Sequence, residues 1–329
     1  MGVETMEKLL ELPFGMTNTV AGAPRRDGLY DAVLSIRLNA MNDKLKMMLS
    51  MAAFGTIAVF VRNIPLSSAE IALFRALIAL IFLLGWQAAH RRFLCLRGMG
   101  RDLLRLFLSG AAMGFNWIFL FEAYKYTTVS AATLSYYFAP MIVMLASPIM
   151  FHERLSARQI VCFMGSTAGL VLVINTGNLP AGSRHFTGVI FGLIAAVLYA
   201  SVMLMNKKIE RASGIDRTLL QFAAAVLVLL PYVLLTGGID LSDMNAPGWI
   251  HLLAVGIVHS GIAYCLYFSA LKALKGQETA LLSYIDPLVA IMLSFTLLRE
   301  PVTPLQLLGG ALILIFTLLN ELWPLRQTP

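Results

Sequence analysis

Ten apolar segments, most of them about 20 residues long, dominate this chain of 329 residues. A helix of that length crosses a hydrocarbon core of about 30 Å, whereas a membrane β-strand needs only about ten residues of alternating polarity. Backbone groups in lipid must also satisfy their own hydrogen bonds. The sequence therefore predicts an all-α integral membrane protein with ten transmembrane helices, spans 1 to 10, near 45–61, 68–89, 103–122, 129–151, 157–175, 187–206, 217–236, 248–271, 278–298 and 304–322.

Composition excludes a soluble fold. Hydrophobic residues make up 58% of the chain and charged residues only 13%, against about 25% charged residues in soluble domains. The net charge of +7 is spread over short loops, whereas nucleic-acid binding needs a concentrated basic face. We therefore expect a lipid bilayer and a small-molecule substrate as partners, and no nucleic acid.

An internal repeat organises the apolar segments. The stretch 114–159 recurs at 261–306 without a gap, shifted by 147 positions, and ten of the 46 positions are identical. The identical pairs include Tyr137/Tyr284, Pro140/Pro287, Glu153/Glu300 and Gln159/Gln306. The shift carries each span onto the fifth span after it, and because five is odd, the second copy enters the membrane upside down. This pattern predicts two inverted five-helix repeats, at 44–176 and 186–322, as in many secondary transporters.

The distribution of Lys and Arg predicts the orientation of the chain. With a cytoplasmic N-terminus, 20 of the 25 basic residues fall on the inside, Arg75 falls within the membrane, and four fall outside: Arg62, Lys125, Arg184 and Arg299. The positive-inside rule therefore selects N-in/C-in. We expect residues 1–43 to be a disordered cytoplasmic arm and residues 323–329 a cytoplasmic tail. A start of the native protein at Met41 is a second hypothesis for the arm.

Four stretches resemble the EamA family of the drug/metabolite transporter superfamily. They are SSAEIALFRALIAL in span 2, GFNWIFLFEAYKYTT in span 3, ATLSYYFAPMIVMLASPIMFHERLS in span 4 and ALLSYIDPLVAIMLSFTLLREPVT in span 9. The resemblance covers about 45–322. It implies a ten-helix bundle whose central cavity is lined mainly by spans 1, 3, 4, 6, 8 and 9, with spans 5 and 10 at the periphery. Asp286 departs from the repeat, since span 4 has Ala139 there.

Three ionisable residues within the spans are the sharpest pointers to a site, since each costs at least about 2.5–3.5 kcal/mol at a helix centre. Arg75 lies in span 2, His259 in span 8 and Asp286 in span 9. Arg75 and Asp286 have two open interpretations. They pair as a structural lock, or Arg75 attracts a carboxylate or phosphate while Asp286 carries a coupling proton. His259 either titrates near neutral pH or packs as a hydrogen-bonded side chain.

Amide and aromatic side chains complete the candidate substrate site. A Tyr or Trp offers an apolar face and one polar handle, which suits amphipathic solutes, although ordinary packing is the alternative. The candidates on the cavity-lining spans are Asn116, Trp117, Tyr137, Tyr199, Tyr264 and Tyr284. Tyr137 and Tyr284 rank first because they are repeat partners.

Prolines and glycines mark the predicted hinges and contacts. Pro140 and Pro287 fall inside spans 4 and 9, where proline kinks a helix, and their symmetric placement favours hinges over static kinks. Three GxxxG pairs allow helices to approach closely. Packing within the bundle is the favoured interpretation of these pairs, and homodimer formation is the alternative: Gly110/Gly114, Gly165/Gly169 and Gly188/Gly192.

Motifs of enzymes, metal sites and cofactor sites are absent from the sequence. We therefore expect no catalytic residue, no metal and no cofactor. The predicted function is a secondary transporter of the bacterial inner membrane that exports small organic metabolites, such as amino acids, related compounds or amphipathic compounds, by alternating access. Proton coupling is one option for its energy source. The alternatives are a membrane-embedded lipid-acting enzyme or scaffold, and uptake or exchange of metabolites.

Overall fold

The computed structural model describes residues 42–89, 99–151, 155–174, 184–209, 212, 214–271, 274, 279 and 282–322. The described residues form helices joined by short connections and contain no β-strand. In chain order the helices are α1 (Asp43–Val61), α2 (Ser68–Ala89), α3 (Gly100–Tyr126), α4 (Val129–Tyr136), α5 (Ala139–Phe151), α6 (Ala157–Ile174), α7 (His185–Lys207), α8 (Gly214–Thr236), α9 (Ala246–Ala254), a π-helical segment (Val255–Ile262), α10 (Ala263–Leu271), α11 (Ile285–Thr296) and α12 (Pro304–Leu322).

The predicted arm and tail fall almost entirely outside the described residues. At the end of the arm, Asn42 caps α1 by accepting a hydrogen bond of 3.0 Å from the backbone N–H of Lys44. Asp43 is already the first residue of that helix. The first helix therefore begins two residues earlier than the predicted span 1.

Seven segments of the described chain are long and apolar enough to cross a membrane. They lie at spans 1 to 4 and 6 to 8 of the sequence prediction. Spans 5, 9 and 10 contain shorter apolar helical stretches, at Ala157–Val173, Ile285–Thr296 and Pro304–Asn320. Several crossing helices with exposed apolar side chains make the chain a multi-pass integral membrane protein.

Span 4 is interrupted rather than kinked. Helix α4 ends at Tyr136, and α5 begins at Ala139 after a turn. Pro140 is the second residue of α5, and Pro287 is the third residue of α11, so both prolines occupy a first helical turn. Proline fits there because the N–H that it lacks has no intrahelical partner in a first turn. The expectation of prolines within continuous helices was therefore wrong in this respect.

Capping boxes begin the equivalent helices α6 and α12. The side chain of Gln159 accepts a hydrogen bond of 2.8 Å from the Ser156 N–H, and Ser156 Oγ accepts one of 3.3 Å from the Gln159 N–H. Thr303 and Gln306 make the same reciprocal pair, at 3.1 and 3.2 Å. Such a pair satisfies two backbone donors at a helix start. The identity of Gln159 and Gln306 in the repeat thus has a structural cause.

Helix α3 lies at the centre of the packing. It contacts α7 and α8 along its length and also contacts α2, while α1 packs on α10 and α11, and α6 packs on α12. The largest fully buried side chains include Phe121 of α3, Phe222 and Leu229 of α8, and Leu73 of α2. Helices α2, α3 and α8 therefore pack side by side around these buried side chains.

The glycines of the GxxxG pairs pack against other helices of the same chain. A Cβ added at Gly169 would lie 2.6 Å from the carbonyl oxygen of Gly309 in α12. Added at Gly188, it would lie 2.6 Å from a Thr127 side-chain carbon, and at Gly192 2.9 Å from Ser135 Cβ. Gly110, Gly114 and Gly165 make similar contacts with α8 and α12. All six glycines are thus used for contacts within the chain.

Candidate functional site

Arg75 is buried at the junction of α2, α3 and the π-helical segment. The residue is 4% exposed. Its Nε donates a hydrogen bond of 2.7 Å to Ser260 Oγ. Its guanidinium carbon lies 4.4 Å from the ring centre of Trp117 and 5.8 Å from that of Phe121. One hydroxyl and two aromatic rings therefore hold this cation.

These contacts offset part of the cost of burying the charge. Burial of an ion costs several kcal/mol, whereas a hydrogen bond to a charged group contributes about 1.5–3 kcal/mol and a desolvated cation–π contact about 2 kcal/mol. Among the described residues, no carboxylate lies within 4.0 Å of Arg75, and its terminal nitrogens have no hydrogen-bond partner. Arg75 and Asp286 therefore form no ion pair in this structure.

The π-helical segment orients two polar side chains by hydrogen bonds that reach back five residues. Ser260 Oγ donates to the Val255 carbonyl at 2.8 Å, so its lone pairs are left to accept from Arg75. His259 Nδ1 lies 3.0 Å from the Ala254 carbonyl, and its Nε2 lies 2.9 Å from Thr56 Oγ1 in α1. Both nitrogens of His259 are thus engaged by the protein, in the arrangement of a packing histidine.

Asp286 is bound by a residue of the first repeat. Its Oδ2 accepts a hydrogen bond of 2.6 Å from the hydroxyl of Tyr137. Tyr137 follows the last residue of α4, and Asp286 is the second residue of α11. A carboxylate in the first turn of a helix is favoured by the helix dipole. The interruption of span 4 and the start of α11 are therefore brought together.

Three tyrosines lie within electrostatic range of both the buried Arg75 and the half-buried Asp286. Tyr124, Tyr136 and Tyr264 each interact with Arg75 and with Asp286. We call the group formed by both charges and their neighbours the central cluster, which consists of Arg75, Trp117, Tyr124, Tyr136, Tyr137, Tyr264 and Asp286.

Ring contacts extend this cluster in two directions. Trp117 packs on Phe222 at 5.4 Å between ring centres, Phe222 on Tyr264 at 5.5 Å, and Tyr264 on Phe54 at 5.1 Å. On the other side, Tyr136 stacks on Tyr199 of α7 at 5.1 Å, and Tyr199 is 38% exposed. The predicted residues Trp117 and Tyr264 therefore belong to one series of ring contacts, and Tyr199 belongs to another.

Asn116 and Tyr284 occupy other positions. Asn116 is 2% exposed, and its Nδ2 donates 2.6 Å to the Ala195 carbonyl of α7. This bond joins α3 to α7. Tyr284 is 7% exposed and directly precedes α11. The structure gives Asn116 a partner in the protein backbone and places Tyr284 two residues from Asp286.

A second polar network lies at the end of α1, and it was not among the predicted sites. One terminal nitrogen of Arg62 donates to the Tyr124 carbonyl at 2.7 Å and to the Thr127 carbonyl at 2.8 Å. Its other terminal nitrogen forms an ion pair with Glu300. The end of α1 is thereby tied to the end of α3 and to the segment that follows α11.

Glu300 completes this network. Its Oε2 accepts a hydrogen bond of 2.8 Å from the backbone N–H of Val129, the first residue of α4, and another from Ser294 Oγ of α11. We call Arg62, Glu300, Val129 and Ser294 the Arg62–Glu300 network. The sequence carried one signal for it, because Glu300 is identical to its repeat partner Glu153. Glu153 lies outside the described residues.

Ser260 and Tyr124 were also missed as site residues. Tyr124 follows Trp117 and Phe121 at helical spacings of seven and three residues, which puts all three on one face of α3. That face is the one under Arg75, so the spacing was a usable signal. Ser260 had no such signal, since only the π-helical turn orients it.

Comparison with known proteins follows the same division of the chain. The model of the EamA-like transporter family matches twice, over residues 44–175 and 186–321. An uncharacterized transporter of Bacillus subtilis (strain 168), YxxF, is 33% identical over 76% of this chain and 79% of its own length. Protein PecM of Dickeya dadantii (strain 3937) is 31% identical over 69% and 80%, respectively.

More distant relatives agree with this assignment. An uncharacterized transporter of Archaeoglobus fulgidus is 28% identical over 81% of this chain and 91% of its own. A crystallised protein of 16% identity shares the fold, with a TM-score of 0.58 over 85% of this chain and 96% of its own. Two family matches that together span most of the chain establish that it belongs to the EamA-like transporter family.

Proposed function

We propose that this protein is a secondary transporter that exports small organic metabolites across the bacterial inner membrane. The observation that carries the proposal is the separation of two ionisable residues, the buried Arg75 and the half-buried Asp286. Arg75 of the first repeat and Asp286 of the second lie near the same three tyrosines but do not pair with each other. Unpaired ionisable groups inside a membrane bundle typically mark a substrate or ion pathway. The export direction is supported by the resemblance to drug/metabolite transporters.

We further propose that the chain crosses the membrane ten times as two inverted five-helix repeats, with N-in/C-in topology. The helix positions support this arrangement. Shifted by 147 residues, α2 overlaps α8, α3 overlaps the continuous stretch from α9 to α10, and α6 overlaps α12. The excess of Lys and Arg in the predicted cytoplasmic connections supports the orientation. The central cluster then lies at the junction of the two repeats.

Alternating access would follow from rocking one repeat against the other around this cluster. In this proposal Pro140 and Pro287 are hinges, because each begins a half-helix next to the Tyr137–Asp286 bond. The Arg62–Glu300 network lies at the predicted outer side and holds that side closed. Opening outwards would require Glu300 to release Arg62 or the start of α4.

Asp286 is the candidate for proton coupling. It is the carboxylate of the central cluster, and its described hydrogen bond is the one from Tyr137. A carboxylate that exchanges a proton at the substrate site can link solute movement to the proton gradient. Protonation of Asp286 would then change its hydrogen bond with Tyr137, which lies at the break between α4 and α5.

The experiment that tests transport is flux in proteoliposomes that contain the purified full-length protein. Candidate solutes come from a growth screen with toxic amino acids and analogues, with and without overexpression of the gene. The proposal expects resistance to at least one compound and counterflow of its labelled form above the rate of protein-free liposomes. Lipid turnover without solute flux would instead support a lipid-acting enzyme. Flux with sensitivity in place of resistance would support uptake.

A further inference from the structure

Arg75 presents hydrogen-bond donors that the described part of the protein does not use. Its guanidinium has five N–H groups, and among the described residues only the one on Nε has a partner, Ser260. The residue is 4% exposed, so bulk water is a poor source of acceptors. The rings of Trp117 and Phe121 pack against the guanidinium of Arg75. The terminal N–H groups of Arg75 therefore suit a ligand that brings an anionic acceptor.

We infer that Arg75 is the receptor for a carboxylate of the transported solute, and that the substrate carries one carboxylate on an apolar or aromatic body. The inference rests on the proposed function and names the substrate class of that site. The planar fork of a guanidinium matches the two oxygens of a carboxylate in bidentate geometry. Ser260 fixes the Nε edge of Arg75 and leaves the terminal nitrogens for the solute.

Charge balance favours a carboxylate over a phosphate. Arg75 is the one permanent cation in the central cluster as defined above, and it shares that cluster with Asp286. Three tyrosines within electrostatic range of both charges offer hydroxyl groups and no further positive charge. When Asp286 carries its proton, a single carboxylate balances the charge of Arg75, whereas a phosphate dianion exceeds it.

The surroundings of the cluster favour an apolar body on the solute. The rings of Tyr264, Phe54 and Phe222 form a continuous series of contacts on one side, and Tyr136 stacks on Tyr199 on the other. Aromatic faces bind apolar and aromatic groups and leave their polar tips for hydrogen bonds. A small inorganic anion would use the guanidinium but none of these faces.

The test compares carboxylates with their neutral amides on the purified full-length protein. Three probe pairs of matched shape are benzoate and benzamide, 3-phenylpropionate and 3-phenylpropionamide, and hexanoate and hexanamide. Binding is measured in detergent by tryptophan fluorescence, since Trp117 contacts Arg75, and by thermal stabilisation. We expect at least one carboxylate to bind about tenfold or more tightly than its amide, as for loss of a charged hydrogen-bond partner. Equal binding within every pair, or no binding, overturns the inference.

Variants locate the effect. Arg75→Gln should reduce the preference for carboxylate to less than about threefold, and Arg75→Lys should retain part of it, because lysine keeps the charge and loses the fork. The matched control is Arg101→Gln, the same change at an exposed position of α3, which should keep the full preference. A preference that survives in Arg75→Gln contradicts the inference. If Arg75→Gln does not fold, the comparison of pairs on the wild-type protein decides.

Three further outcomes test this inference and separate it from the proposed function. Chloride that competes with 3-phenylpropionate at equal concentration would identify a site for inorganic anions and overturn the carboxylate receptor. Carboxylate binding without flux of any solute would overturn transport and leave the receptor standing. Flux of neutral and cationic solutes with no carboxylate preference would support transport and overturn the carboxylate receptor.

Discussion

The hydroxyl of Tyr137 donates a hydrogen bond of 2.6 Å to Oδ2 of Asp286, and thereby joins residues that are 149 positions apart in the sequence. Tyr137 ends the first half of an interrupted span, and Asp286 begins α11. The repeat partner of Tyr137 is Tyr284, two residues before Asp286. The two repeats are thus coupled by a contact that pairs equivalent regions but not equivalent residues.

Replacement of Tyr137 by Phe removes the donor from this bond. Loss of the hydrogen-bond donor to a half-buried carboxylate costs up to about 1–3 kcal/mol, so Tyr137→Phe should lower the thermal stability of the purified protein. The control is Tyr136→Phe, the same change at the next residue, whose ring stacks on Tyr199. Equal stability losses in the two variants would show that the hydrogen bond to Asp286 does not contribute measurably to stability.

Asp286→Asn tests proton coupling. Asparagine keeps the acceptor for Tyr137 but cannot exchange a proton, so flux should no longer depend on the pH gradient while counterflow exchange continues. Flux into proteoliposomes with an imposed pH gradient measures the pH dependence. Counterflow at equal pH on both sides measures the exchange. Glu122→Gln, in a partly exposed ion pair with Lys125, should leave the dependence intact. Retained pH dependence in Asp286→Asn would exclude Asp286 as the coupling residue.

Glu300→Gln tests the Arg62–Glu300 network. The change removes the ion pair with Arg62 and weakens the cap on Val129, so the outer side should open more often. The probe is a cysteine at Ser130, which is 1% exposed next to Val129. We expect an impermeant maleimide to label Ser130→Cys several-fold faster in the Glu300→Gln background. Glu122→Gln is again the control, and unchanged labelling in both backgrounds would argue against an outer gate here.

Gly169→Ala tests whether the close approach of α6 and α12 stabilises the fold. The added Cβ would lie 2.6 Å from the Gly309 carbonyl, and overpacking of this kind typically costs about 1–3 kcal/mol. Gly85→Ala makes the same change in α2, where nothing lies within 4 Å of the new Cβ. Thermal unfolding should therefore separate the two variants. A shift in oligomeric state without loss of stability would instead assign Gly169 to a dimer contact.

The sequence predicted the seven membrane-spanning segments at the positions where the structure has them, because apolar length alone indicates such helices. It also singled out Arg75 and Asp286 as site candidates, since ionisable residues are conspicuous in an apolar span. The interruption between α4 and α5 was read as a kink, because a proline inside an apolar run does not reveal which turn it occupies. The π-helical turn that orients Ser260 and His259 leaves no mark in the hydrophobic pattern.

The partners of the candidate residues were harder to predict than the residues themselves. Whether Arg75 pairs with Asp286 depends on side-chain positions across four helices, which the residue pattern does not specify. Asn116 looked like a cavity residue, but its amide binds the Ala195 carbonyl. Glu300 is identical to its repeat partner Glu153, but the sequence does not indicate that Arg62 is its ion-pair partner.

The orientation of the two repeats tests the account most directly. Native Cys95 lies in the predicted cytoplasmic connection after span 2, and its repeat counterpart is Ser242, exposed in the predicted outer connection before α9. In a chain with Cys162→Ser and Cys265→Ser, an impermeant maleimide is applied to intact cells and to permeabilised cells. We expect Ser242→Cys, in a Cys95→Ser background, to be labelled in intact cells, and Cys95 only after permeabilisation. Labelling of both positions from the same side would contradict inverted repeats and alternating access between them.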